Sequence, residues 1–168
     1  MKNRKKSALT LGHVASVVGK GLFAGLAGTA AMTLSQIIEM KLSGREPSNS
    51  PAQVGSKLFG VEPKSKEDEE RFAQIIHWVW GTVGGVPRGL IALSDAHGAA
   101  AAASHFTTVW TVDNALLYSL DIAPPPWEWS ATELSVDAFH KSVYAVAATA
   151  AYEFLDRRSA DAAPGPKE

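Results

Sequence analysis

Charge in this chain is concentrated in its two ends and one loop, which leaves four long, largely apolar stretches, each about long enough to cross a bilayer. His77, His105, Asp113 and His140 lie inside or at the edge of three of these stretches. An ionisable group in hydrocarbon is costly, so its presence marks a polar site between helices.

At 168 residues the chain is one compact unit. Its mean hydropathy of −0.02 is low for a membrane protein, but the average mixes charged ends with Ala-, Gly-, Val- and Leu-rich segments. A formal net charge of −1 argues against a nucleic-acid partner. The absence of cysteine excludes disulfides, thiolate metal sites and cysteine nucleophiles. No G-x-S-x-G, no phosphate-binding Gly-rich loop and no nucleophile beside a base occurs, so neither an enzyme nor a cofactor is expected.

The basic start, Met1 to Lys6, followed by an apolar run, has the outline of a signal peptide, with small residues at 27–31 for cleavage. The apolar part is too long for a signal core and Lys20 interrupts it, so a retained first membrane helix is expected. Three parts follow: a basic tail at 1–8, a membrane domain at 9–158 and a disordered tail at 159–168.

Segment one runs from about Leu9 to Leu42. Gly21, Gly25 and Gly28 form a small-residue face that lets helix backbones approach closely, with Glu39 near the far end. Packing within the chain is the expected use of that face, and a homo-oligomer or another membrane protein is the other. The first loop holds Ser50-Pro51-Ala52-Gln53, a capping box that predicts a short helix from Pro51 to Phe59. Val54, Leu58 and Phe59 would rest that helix on the bilayer surface. Ser65 then caps segment two, whose Glu67, Asp68 and Glu69 suit the helix dipole. Gly84, Gly85 and Pro87 should kink or end it, and Arg88 should snorkel to the nearer interface. Segment three, about Ala96 to Leu120, begins almost entirely with small residues, and His97, His105 and Asp113 share a stripe along it. After a Pro-rich loop with two interfacial Trp residues, Ser130-Ala-Thr-Glu133 is a second capping box. In segment four, Glu133, Asp137, His140 and Tyr144 form one polar stripe entering an apolar helix that ends near Arg158.

The fold expected is therefore all-α: a four-helix transmembrane bundle with a short surface helix in the first loop and the lipid bilayer as its partner. Four crossings place both termini on one side. Lys2, Arg4, Lys5, Lys6, Arg157 and Arg158 make that side cytoplasmic by the positive-inside rule. Segments one and three also align at a spacing of 77, matching Gly21 with Gly98 and Gln36 with Asp113, which suggests two related helical hairpins.

The pattern His77-x-x-Trp80-Gly81, the run Ala123-Pro-Pro-Pro-Trp-Glu-Trp129, Glu133, His140 and the close at Tyr152-Glu153-Phe-Leu-Asp-Arg-Arg158 resemble the YagU-like family of small bacterial inner-membrane proteins. The resemblance implies a bacterial inner-membrane helical bundle of unsettled activity. This chain departs from it in carrying Asp113 where a His is expected and in a shorter first loop, which counts against shared metal-type chemistry.

A site built from Glu39, His77, His105, Asp113, Glu133, Asp137, His140 and Tyr144 is open to three chemistries. It could relay or sense protons, since histidine titrates near neutrality. It could bind a divalent metal, although Asp137-x-x-His140 is the nearest approach to a ligand motif and no H-E-x-x-H occurs. It could instead join the helices by hydrogen bonds worth about 0.6–2 kcal/mol each in lipid. A soluble Ala-rich helical bundle, with these side chains in water, is the alternative to the membrane reading.

Overall fold

The computed structural model of the protein describes residues 10–161, among which there is helix and no strand. The elements are α1 (Leu11–Ser43), α2 (Ser50–Phe59), α3 (Lys66–Val83), α4 (Val86–Ala92), α5 (Gly98–Ser119) and α6 (Ala131–Asp161), with one 3-10 turn at Pro126–Glu128. The expected basic tail at 1–8 lies outside the described residues. α6 runs to Asp161, so residues 159–161 are helical where a disordered tail is expected, and the rest of that tail lies outside the described residues.

Helix ends follow local chemistry. Thr10 caps α1 by accepting the His13 N–H, and Gly44 closes it in the left-handed conformation, donating to Met40 O at 2.9 Å. Ser65 accepts the Asp68 N–H at the start of α3. Ser130 and Glu133 make the reciprocal capping box ahead of α6: Glu133 N donates to Ser130 Oγ at 3.2 Å, and Ser130 N donates to Glu133 Oε2 at 2.8 Å. The box expected at Ser50 is displaced by one residue. Ser50 is the first residue of α2, its hydroxyl receives the Ser48 hydroxyl, and Asn49 is the cap residue, with Gln53 Nε2 donating to Asn49 Oδ1 at 2.7 Å.

Of the four expected spans, α1 alone among the described residues is long and apolar enough to cross a membrane by length and composition. α3 opens on Lys66-Glu-Asp-Glu-Glu-Arg71, and α5 and α6 trade bulk for alanine and carry His105, Asp113, Asp137, Lys141 and Glu153. α1, with 33 residues, is about 50 Å long.

α1 packs along α6, α3 and α4, α5 packs on α6 and α4, and α2 lies on α3. The contact surfaces are built from small residues, with Ala24, Ala148 and Tyr152 at the centre. On α2, Ala52, Val54 and Gly55 are buried, and Gly55 is pressed against Phe72 and Ile76 of α3. Val54 is thus absorbed by α3, while Leu58 and Phe59 stay exposed.

Candidate functional site

The interior is organised around the break between α3 and α4. Pro87 has no N–H, and Gly84 and Gly85 permit a tight turn, so the helical hydrogen-bond register is lost there. Gly85 N bonds Thr82 O at 3.2 Å and Arg88 N bonds Gly85 O at 3.1 Å. The carbonyls of Gly81 and Gly84 thereby lose the donors that a continuous helix would supply. Buried backbone acceptors are paired as a rule, and here side chains from other helices pair them. Tyr144 of α6 donates its hydroxyl to Gly81 O at 2.7 Å. His105 of α5 lies 2.9 Å from Gly84 O. A carbonyl only accepts, so His105 carries its proton on Nε2. The two rings lie 5.4 Å apart. α1 seals the other side of the break: a β-carbon on Gly21 or Gly25 would strike the backbone of Gly85 and of Gly81–Thr82, and one on Gly28 would strike Tyr144. The Gly21/Gly25/Gly28 face is therefore packed against α3, the α3–α4 turn and α6 of the chain itself.

Toward the C-terminal end of α1 the polar groups come in pairs. Thr33 Oγ1 is 3.0 Å from His77 Nε2. Ser35 Oγ donates to Met32 O at 2.7 Å and meets His140 Nδ1 at 2.8 Å. With the hydroxyl proton on Met32 O, the Ser35 lone pair receives the Nδ1–H of His140, and His140 Nε2 is left with a bare lone pair. His140 is 4% exposed. Among the described residues no hydrogen-bond partner reaches its Nε2. The nearest charged group is Glu39 Oε2, 3.7 Å away and itself an acceptor. The same oxygen is held by Arg45, whose Nε and NH2 lie 3.1 and 2.7 Å from Oε2, with Nε also 3.4 Å from Oε1.

Between α5 and α6, Lys141 bridges two carboxylates, with Asp137 Oδ1 at 2.9 Å and Asp113 Oδ2 at 3.4 Å. Each carboxylate also takes an indole N–H, Asp113 from Trp80 at 2.8 Å and Asp137 from Trp110 at 2.9 Å. Trp80 and Trp110 are thus hydrogen-bond donors to the charged cluster.

Arg88 corrects the expectation of snorkelling. It is 0% exposed. The turn at Gly84–Gly85 redirects the chain so that Arg88 points onto α6, where Nε meets Thr149 Oγ1 at 3.2 Å and NH2 meets Glu153 Oε1 at 3.3 Å. Its guanidinium lies 4.7 Å from the centre of the Tyr152 ring. Glu153 also accepts the Gly98 N–H at 2.7 Å and so caps α5 from another helix.

The sequence-predicted residues thus form a ladder of local contacts and not one convergent centre. His105 and Tyr144 serve the helix break, Asp113 and Asp137 share Lys141, Glu39 and His140 face each other, and His77 bonds α1. Glu133 stands apart, exposed at the mouth of α6. There the Ser130 hydroxyl, and then its N–H, hold the Glu133 carboxyl below the usual carboxylate range. Among the described residues, no group of three or more His, Asp or Glu side chains is placed to hold a metal ion. Sequence reasoning missed Arg45, Arg88, Lys141, Thr33 and Ser35. Lys141 was signalled by its i+4 spacing from Asp137, whereas the others depend on tertiary placement.

No family model matches the chain, and neither a curated protein nor a solved structure is similar to it.

Proposed function

We propose that the chain is a small multi-pass membrane protein, not an enzyme, whose interior His/carboxylate groups join its helices and respond to protons at one position, His140. The observation that carries this reading is the inverted distribution of polarity. Phe23, Leu34, Ile75, Val79, Val112, Phe139 and Val146, drawn from α1, α3, α5 and α6, are exposed. Arg88, His105, Asn114, His140, Thr29 and Thr149 are buried. In water the first set would lose hydrophobic burial and the second would bear a desolvation cost. In lipid the same arrangement is favourable, because hydrocarbon solvates the outside and the polar groups find partners only inside.

α3 and α4 together cross as one broken span. Lipid tolerates such a break where neighbouring helices re-pair the freed backbone groups. Tyr144 and His105 make that pairing. On this reading both termini lie on the cytoplasmic side of a bacterial inner membrane, the location implied by the YagU-like resemblance.

His140 is the proton-responsive position because it is the one buried histidine whose bare nitrogen faces a carboxylate. The test has two parts. After alkaline carbonate washing, the expressed chain should stay with the membrane pellet, and recovery in the supernatant without detergent contradicts the membrane reading. In detergent micelles or vesicles, intrinsic tryptophan fluorescence should titrate with pH in the parent chain and stop doing so in His140→Ala while helicity is retained. Loss of stability with no change in the titration would reduce His140 to a packing residue.

A further inference from the structure

Glu39 is contested by two cations, of which one is permanent and the other conditional. Arg45 is always charged and holds Glu39 across the turn that ends α1. His140 becomes a cation only when a proton reaches Nε2. In the neutral tautomer set by Ser35, that nitrogen and Glu39 Oε2 are two acceptors 3.7 Å apart, which explains why the gap is wider than a hydrogen bond. A proton between them removes the mismatch and makes a charge-assisted bond, which closes to about 2.8 Å.

We propose that Glu39, His140 and Arg45 form a proton-operated latch: protonation of His140 Nε2 draws the Glu39 carboxylate onto the imidazolium and off Arg45, releasing the connection between α1 and α2. The proton comes from solvent and stays on Nε2, and no covalent bond changes. The latch depends on the reading of His140 as proton-responsive but not on lipid surrounding the helices.

Arg45 is well placed to transmit the change. It follows the left-handed Gly44 directly, its own N–H rests on Ser43 Oγ at 3.2 Å, and its NH1 reaches Glu46 O at 3.4 Å. Glu39 is its one carboxylate partner among the contacts described for it, so losing Glu39 removes the tie between α1 and the stretch at 44–48, while Asn49 stays bonded to Gln53 and Glu69. The other charged and titratable groups at this level are already committed. On α6, Asp137 is tied to Lys141 and Trp110, and Lys141 also holds Asp113 of α5. On α3, His77 is bonded to Thr33.

The absence of cysteine makes a single introduced thiol unique. Ser48→Cys, carried in the full chain and labelled with a nitroxide, reports on the connection through its spectral line shape. In vesicles or micelles the label should be restrained at about pH 8 and become severalfold more mobile by about pH 5, the range in which histidine changes charge. With His140→Gln added it should stay restrained at both pH values, because Arg45 then keeps Glu39 unopposed. With Glu39→Gln or Arg45→Gln added it should be mobile at both. These two variants keep the test alive if His140→Gln fails to fold. A label insensitive to pH in the parent chain overturns the latch, as does a pH step that survives His140→Gln and disappears in His77→Gln. A fluorescence titration that depends on His140 with no change at Ser48→Cys would retain the proton response and reject the latch.

Discussion

The hydroxyl of Tyr144 donates to the carbonyl oxygen of Gly81 across 2.7 Å, from the middle of α6 to the last turn of α3. That bond exists because Gly85 has turned its N–H to Thr82 and abandoned Gly81. The broken helix and the polar side chains that face it are therefore one feature. A continuous α3–α4 helix would have no use for Tyr144 or His105 as donors.

Removing that donor tests the account of the break. Tyr144→Phe keeps the ring and orphans the Gly81 carbonyl, so it should cost about 1–2 kcal/mol, between the cost of an unpaired buried group and the weaker interhelical bonds found in lipid. Reversible unfolding in mixed micelles would measure the loss. A neutral effect would mean that the freed carbonyl has another partner.

Glycine contacts give a contrast within one chain. A methyl at Gly85 would run into the backbone of Gly21 and Gly25, so Gly85→Ala should destabilise by about 1–3 kcal/mol as the helices are forced apart. Gly19, also in α1, has nothing within 4 Å of an added β-carbon. Gly19→Ala should stabilise by about 0.5–1 kcal/mol through helix propensity alone. Thermal unfolding of both variants should show opposite signs.

Lys141 neutralises two carboxylates at once with its side chain 12% exposed. Lys141→Met leaves Asp113 and Asp137 unneutralised and should cost about 1–3 kcal/mol, less than a fully orphaned pair because Trp80 and Trp110 still donate to the carboxylates. Adding Asp113→Asn should recover part of that loss. A double-mutant cycle with no coupling would contradict the shared site.

Glu133 gives a pH dependence with a fixed sign. Its carboxyl is held below the usual range by the Ser130 hydroxyl and N–H. A depressed folded-state value means the stabilisation is present above the ordinary carboxylate range and is lost as pH falls through the lowered value. The stability advantage of the parent chain over Glu133→Gln should therefore be seen at neutral pH and shrink in acid. Denaturant unfolding at both pH values would detect it, and an advantage constant with pH would contradict the capping role.

The features legible in the sequence are those set by neighbours along the chain. Ser65 and Ser130 announce helix starts because an N-cap acts over three residues. The Gly84-Gly85-Val86-Pro87 run announces a break because proline lacks a donor. Spacing along α1 brings Gly21, Gly25 and Gly28 to close-packed contacts, each with its own neighbour. What stayed hidden depends on direction in space. Arg88 reads as an interfacial residue until the turn at Gly85 aims it onto Thr149 and Glu153. His105 and Asp113 share a stripe eight residues apart, yet one meets Gly84 and the other Lys141. The partner of Glu39 lies across the turn at Gly44, where helical periodicity no longer applies. Ser50 reads as a cap, yet Asn49, one residue earlier, holds that position and takes the Gln53 side chain.

The membrane reading requires hydrocarbon around the exposed apolar side chains of α3, α5 and α6. Single nitroxides at Ile75, Val112, Phe139 and Val146 in lipid vesicles test it directly by comparing collision with dissolved oxygen, which concentrates in lipid, and with a water-soluble nickel chelate. The account predicts high oxygen and low nickel accessibility at all four positions. Nickel accessibility equal to that of a label at exposed Ser48 would place these surfaces in water and contradict the account.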